Sequence, residues 1–220
     1  MNDPELTPPT TPPALVQLTP LEARVLGCLI EKAATTPEVY PLTLNAAHLA
    51  CNQKSNRDPL MNAELGAVGQ ALRTLEDKLL VRVVHGARAL RFEHAVDAGL
   101  SLAARSRALI GLLLLRGAQT QNELLTRSER LADFPDAASL GDTLERLIGR
   151  EPPLVVCIGR APGQREDRYM HLLGGPVSIE DLPAPRARAT ESPDRYSELE
   201  ARIEALESAV AALRQQRGQD

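Results

Sequence analysis

One order of segments is written twice along this chain, and it narrows the available folds more than any composition figure does. In the first pass, Thr19 stands as a cap, Pro20 takes the first helical position, Glu22 follows three residues on, and Leu21, Val25, Cys28 and Leu29 keep helical spacing. These residues predict a helix ending near Lys32. A loop through Thr35, Pro37, Tyr40 and Pro41 leads to a second helix over 44–51 capped by Thr43. After the turn CNQKSNRDP, Asp58 and Pro59 predict the start of a third helix with Leu65, Val68, Leu72, Leu75 and Leu79 on one face. The β-prone runs 81–84 and 89–92, joined by His85 to Arg88, predict a hairpin.

The second pass repeats the order without obvious residue identity. Residues 101–116 read as a helix broken by Gly117, and Thr120 with Glu123 forms a capping box that opens a second helix to about Arg130. Pro135 and Asp136 open a third helix carrying Ala138, Leu140, Leu144, Leu147 and Ile148, which Pro152 and Pro153 stop. Strands over 154–158 and 168–173 flank a charged tip, 159–167, with Arg160, Arg165, Glu166 and Asp167, and Arg168 directly after it. Three helices and a hairpin make a winged helix, so the expected class is α+β: mainly α with small β-hairpin wings. Two tandem winged-helix domains then occupy 19–94 and 101–175.

The flanks read differently. Residues 1–17, rich in Pro and Thr, lack the apolar surface that offsets ordering entropy, and predict a disordered arm. A Pro-containing linker over 176–193 precedes a heptad helix at 194–217, with Tyr196, Leu199, Ile203, Leu206, Val210 and Leu213 along its seam. Arg195 and Arg202 would face Glu200 and Glu207 across a parallel pair, which favours a homodimer. With barely three heptads, a single amphipathic helix packed on its own chain stands equally open.

Composition removes several functions. Aromatic residues are 2%, with no Trp, so base-stacking recognition of single strands has little to work with. No apolar run approaches membrane-spanning length, the N-terminus lacks the look of an export signal, and a cytoplasmic location is expected. Cys28, Cys51 and Cys157 are an odd, scattered set, read as reduced thiols buried like small hydrophobes. His48 and Cys51 share helical spacing, but no second ligand pair accompanies them, and no metal or other cofactor is expected. Nucleophile elbow, phosphate-cradling loop and dinucleotide fingerprint are all missing, and a Cys28 or Cys51 nucleophile has no assignable base, so the chain does not read as an enzyme.

The net charge is −4, and only the first domain is locally basic, with seven Lys or Arg against four Asp or Glu over residues 43–92. Lys54 and Arg57 in the turn, Arg73 on the third helix, and Arg82, Arg88 and Arg91 on the wing are candidate phosphate contacts; Asn62 and Gln70 are candidate readers of base edges. Double-stranded DNA is therefore one candidate partner. A partner protein is the other, favoured by the acidic balance, with the small face Gly66 and Gly69 packing against a helix. The turn's Asn52, Ser55, Asn56 and Asp58 also suit local backbone capping.

The stretch EKAATTPEVYPLTLNAAHLACNQKSNRDPLM, Glu31 to Met61, resembles the signature of the bacterial YceH family, and RGAQTQNEL from Arg116 and GQREDRYMHLL from Gly163 extend the resemblance. It implies two tandem winged helices. The family carries no settled activity, so ligand and partner have to come from the residues.

Overall fold

The computed structural model describes residues 16–86, 89–160 and 166–177, and these fall in one compact unit. The N-terminal arm up to residue 15, Arg88, most of the charged tip and the heptad residues Tyr196, Leu199, Ile203, Leu206, Val210 and Leu213 lie outside the described residues.

The first repeat runs α1 (Pro20–Thr35), a 3-10 turn (Pro37–Val39), β1 (Leu42–Thr43), α2 (Leu44–Cys51), α3 (Leu65–Asp77), β2 (Val81–His85) and β3 (Leu90–His94). A short α4 (Val96–Gly99) leads to the second: α5 (Ala104–Arg116), β4 (Gln119–Thr120), α6 (Gln121–Ser128), α7 (Ala137–Gly149), β5 (Val155–Gly159) and β6 (Arg168–His171). Each repeat thus pairs three helices with a small antiparallel sheet, a winged-helix-like α+β arrangement.

The sheets have a third strand that the sequence did not suggest. The residues read only as cap and loop, Leu42–Thr43 and Gln119–Thr120, add to the hairpins in the orders β1-β3-β2 and β4-β6-β5, with Leu42 opposite Phe92 and Gln119 opposite Tyr169. Two-residue strands carry too little alternation to be seen in sequence.

The capping boxes form as expected, Thr19 with Glu22 on α1 and Thr120 with Glu123 on α6, while Asp136 accepts from the Ser139 amide to start α7. The third helix of the first repeat differs. It begins at Leu65, not at Asp58–Pro59, and residues 58–64 form a non-helical approach to it, bent at Asp58 and Pro59. Its buried stripe is Val68, Ala71, Leu72 and Leu75; Leu65 is exposed, and Leu79 lies beyond the helix end at φ 59° and faces solvent, leaving Leu80 to enter the core.

The two repeats share one continuous apolar core, with α1 against α5 at its centre. Residues 108–115 of α5 are buried all round, as a helix between two layers must be. Two glycines set how close the helices come: a Cβ at Gly27 would lie 2.9 Å from Leu115 Cγ, and one at Gly111 2.7 Å from Ile30 Cγ2. Backbone hydrogen bonds tie the repeats further, from the Leu18 amide to Leu173 O at 2.6 Å and from Asp58 to Leu115 O at 2.9 Å.

Candidate binding surface

The turn from α2 to α3 holds the densest set of hydrogen-bonding side chains, and most of them face inward. Arg57 was expected to reach for phosphate, yet it is 6% exposed. Its guanidinium donates to both Glu31 oxygens at 3.2 and 2.7 Å, to Ala50 O at 3.0 Å, to Asn56 O at 2.8 Å and to Gln53 Oε1 at 2.9 Å. A cation with every donor engaged at the interior is no nucleic-acid contact, and that expectation is withdrawn. Burial pushes the Glu31 carboxyl up, but the hydrogen bonds and charge of Arg57 outweigh it and hold it below the usual range.

Asn52 closes the other side of the turn. Its amide donates to Ala63 O at 2.9 Å while its Oδ1 accepts from the Ala63 amide at 2.7 Å, and His48 Nε2 donates to the same carbonyl at 2.9 Å. This clasp fixes residues 60–64 beside the end of α2. Asn56 accepts from Arg116 of α5, so the turn also fastens the second repeat. Capping and joining account for Asn52, Gln53, Asn56 and Arg57; Lys54 alone of the turn's cations stays exposed.

Around the clasp lies what sequence reasoning missed. Leu49 of α2 is 68% exposed, Leu60 54% and Leu65, the first residue of α3, 41%. Leu65 had been assigned to the buried stripe, and its exposure follows from the late start of α3. Asn62, Gln70 and Arg73 are exposed on the same approach and helix, with Arg73 donating to Gln70 Oε1 at 2.8 Å. Glu64 sits at the helix N-cap without making a cap bond, and Glu76 and Asp77 are exposed near the other end. Gly69 does not belong to this open face: it is buried, 3.6 Å in Cβ terms from Leu44 Cδ1, whereas Gly66 has open space beside it.

On the wing, Arg82 is exposed but paired with Glu93 at 2.7 Å, and half-buried Arg91 donates to Pro41 O at 2.7 Å. The structure therefore brings Lys54, Asn62, Gln70 and Arg73 to the surface near α3 and places Arg82 on the wing. In the second repeat Arg160 pairs with Asp167 at 3.0 Å and Asn122 donates to Glu166 at 2.7 Å. Among the described residues there is no group of three or more His, Cys, Asp or Glu placed to hold a metal, and no helix long and apolar enough to cross a membrane.

Residues 18–164 match the family described as protein of unknown function, DUF480. A UPF0502 protein of Pseudomonas syringae pv. tomato is 56% identical over 214 residues, covering 93% of this chain and 96% of its own. One from Mesorhizobium japonicum is 58% identical over 197 residues, with 90% and 93% covered, and one from Azotobacter vinelandii 57% over 198 residues, with 90% and 87%.

Proposed function

Since the chain belongs to the DUF480 family, represented by the UPF0502 proteins, whose shared fold names no activity, we propose from the exposed chemistry that it is a cytoplasmic, non-catalytic docking module that captures a partner protein on the α2–α3 face of its first repeat. The resemblance of residues 31–61 to the YceH signature belongs to the same reading, because that stretch builds the clasp beside this face.

The observation that carries it is the group of exposed leucines around the Asn52–Ala63 clasp, Leu49, Leu60 and Leu65. Exposed apolar side chains beside a hydrogen-bonded clasp, with Lys54, Glu64, Gln70 and Arg73 exposed on the same turn and helix, suit a protein interface, which has an apolar centre and a polar edge. The matching partner surface presents apolar anchor side chains. A DNA-reading helix needs the reverse, cations and free donors at its start, where this one has Glu64 and a leucine.

Duplex DNA is the second reading, supported by the exposure of Lys54, Asn62, Gln70, Arg73 and Arg82. One experiment separates the two. A photo-crosslinking residue in place of Leu60, with the same group at exposed Glu145 of α7 as control, is irradiated in cells; in parallel, labelled random duplex is titrated at about 50 and 200 mM salt. A discrete protein adduct at position 60 only, lost with Leu49→Ser/Leu65→Ser, is expected. Duplex binding that collapses with salt and disappears in Lys54→Ala/Arg73→Ala overturns the docking reading in favour of DNA.

A further inference from the structure

Over residues 43–92 the sequence holds seven cations against four carboxylates, and folding reverses that balance at the surface. Three of the cations are neutralised by carboxylates from outside the stretch: Arg57 pairs with Glu31 at 2.7 Å, Lys78 with Glu22 at 2.6 Å and Arg82 with Glu93 at 2.7 Å. Arg91 is half-buried and donates to Pro41 O. The stretch's own carboxylates, Asp58, Glu64, Glu76 and Asp77, are all exposed, and among the described residues none of them stands in an ion pair. Against them, Lys54 and Arg73 are the exposed cations of the described stretch outside any ion pair, and Arg73 is turned to Gln70.

These carboxylates accompany the exposed leucines along the chain. Asp58 stands two residues before Leu60, and Glu64 directly before Leu65. From Gly66 the exposed stripe of α3 runs through Gln70 and Arg73 to Asp77, at steps of 4, 3 and 4, with Glu76 beside its end. Glu64 and Asp77 therefore bound a helix about 18 Å long. The last turn of α3 carries no basic residue, so the negative end of the helix dipole adds to Glu76 and Asp77 instead of being offset. An apolar patch accompanied by carboxylates that no cation of the described chain neutralises is complementary to a surface that is apolar and positive.

Resting on the docking reading above, we infer that the partner segment of the α2–α3 face is basic and amphipathic: its apolar anchors cover Leu49, Leu60 and Leu65, and its Lys or Arg side chains meet Asp58 and Glu64 near the start of α3 and Glu76 and Asp77 at its end. A helical segment of about 12 residues spans that length. Charges at an interface edge govern encounter and partner choice more than they add affinity, so the carboxylates select and the leucines hold. The same carboxylates repel phosphate, and the pattern that admits a basic segment therefore works against duplex DNA.

The test uses the full chain and two labelled synthetic helices of about 18 residues that carry the same three leucines at helical spacing, one with Lys and the other with Glu at its polar positions. Binding is read by fluorescence anisotropy at about 50 and 200 mM salt. The Lys peptide is expected to bind about tenfold tighter than the Glu peptide at the lower salt, with the preference shrinking at the higher. Asp58→Asn/Glu64→Gln and Glu76→Gln/Asp77→Asn should each reduce that preference, whereas Asp142→Asn/Glu145→Gln on exposed positions of α7 should leave it unchanged. Leu49→Ser/Leu65→Ser should abolish binding of both peptides, with circular dichroism unaltered. Equal binding of the two peptides, both lost in the leucine variant, overturns the inference and leaves the docking reading standing. Lys-peptide binding that ignores the leucines and falls as much in the α7 variant is bulk attraction to an anionic protein, and overturns it too. Binding of neither peptide also overturns it, while the photo-crosslink at position 60 judges the docking reading separately.

Discussion

The two repeats are built in the same order and held together by different chemistry where the second helix hands over to the third. In the second repeat the passage is short and ordinary: Ser128 Oγ donates to Leu125 O, the Leu131 amide closes back on Ser128 O, and Asp136 caps α7 through the Ser139 amide at 2.7 Å. In the first repeat residues 52–64 carry an asparagine clasp and the buried Arg57 that pairs with Glu31 of α1, and they also fasten α5. The lesson is that a dense polar signature in a helix–turn–helix passage need not face a ligand. Here it forms the joint between the repeats, and the outward chemistry is left to a few leucines beside it.

The sharpest way to break that comparison is to remove one partner of the pair that the second repeat lacks. With Glu31 gone, Arg57, whose side chain is fully buried, is left without its carboxylate. Glu31→Ala is expected to lower unfolding stability by about 3–5 kcal/mol, read as a shift of the urea midpoint. An equal loss in Glu123→Ala, whose partners Arg127 and Arg168 are only partly buried, would mean that the two joints do not differ in kind.

The features legible in sequence were those that repeat or cap. Both capping boxes, the stripe Leu140, Leu144 and Leu147 and both hairpins follow from local spacing, and the structure has them. The start of α3 was misread because Asp-Pro is a common helix opening, while here Pro59 lends its carbonyl to Arg24 and the chain stays non-helical as far as Glu64. Arg57 was misread for a related reason: an arginine in a polar turn looks solvent-bound until Glu31, twenty-six residues away, is brought to it by the packing of α1 on α2. The exposure of Leu49, Leu60 and Leu65 had no sequence signal of its own, since it depends on where the clasp places the chain.

Acid titration sharpens the contrast between a charged interior and a neutral one. His171 of β6 is buried with Nδ1 unpartnered, and burial pushes it down from 6.5 to about 4. Between those values the unfolded chain takes up a proton that the folded chain refuses, so stability falls as pH drops from 6.5 toward 4, by about 3 kcal/mol in all. The Glu31 carboxylate, held below its ordinary 4.5, contributes stability that is fully present above that value and lost only below it. His171→Leu is therefore expected to remove about 3 kcal/mol of the dependence between pH 6.5 and 4 and leave the lower window, as measured by thermal midpoints across pH; the part that remains above 4 belongs to His94, which burial also pushes down. An upper-window slope unchanged in His171→Leu would place the acid sensitivity elsewhere.

The smallest effect is expected where the repeats agree. At α1 the Thr19 amide donates to Glu22 Oε2 at 2.9 Å and the Glu22 amide to Thr19 Oγ1 at 3.3 Å; at α6 the same pair of bonds measures 3.1 and 3.2 Å. Both glutamates meet a cation as well, Glu22 the ammonium of Lys78 and Glu123 the guanidinium groups of Arg127 and Arg168. Thr19→Ala and Thr120→Ala each remove the threonine side of a box and leave that ion pairing, so each is expected to cost about 1 kcal/mol, and the two shifts in the urea midpoint should match. Agreement here beside a large Glu31→Ala effect locates the difference between the repeats in the joint, because helix starts of the same geometry respond alike wherever they stand. A Thr19→Ala loss several times that of Thr120→Ala would instead tie the start of α1 to the Glu31–Arg57 pair along the same helix, and the joint would then extend over the full length of α1.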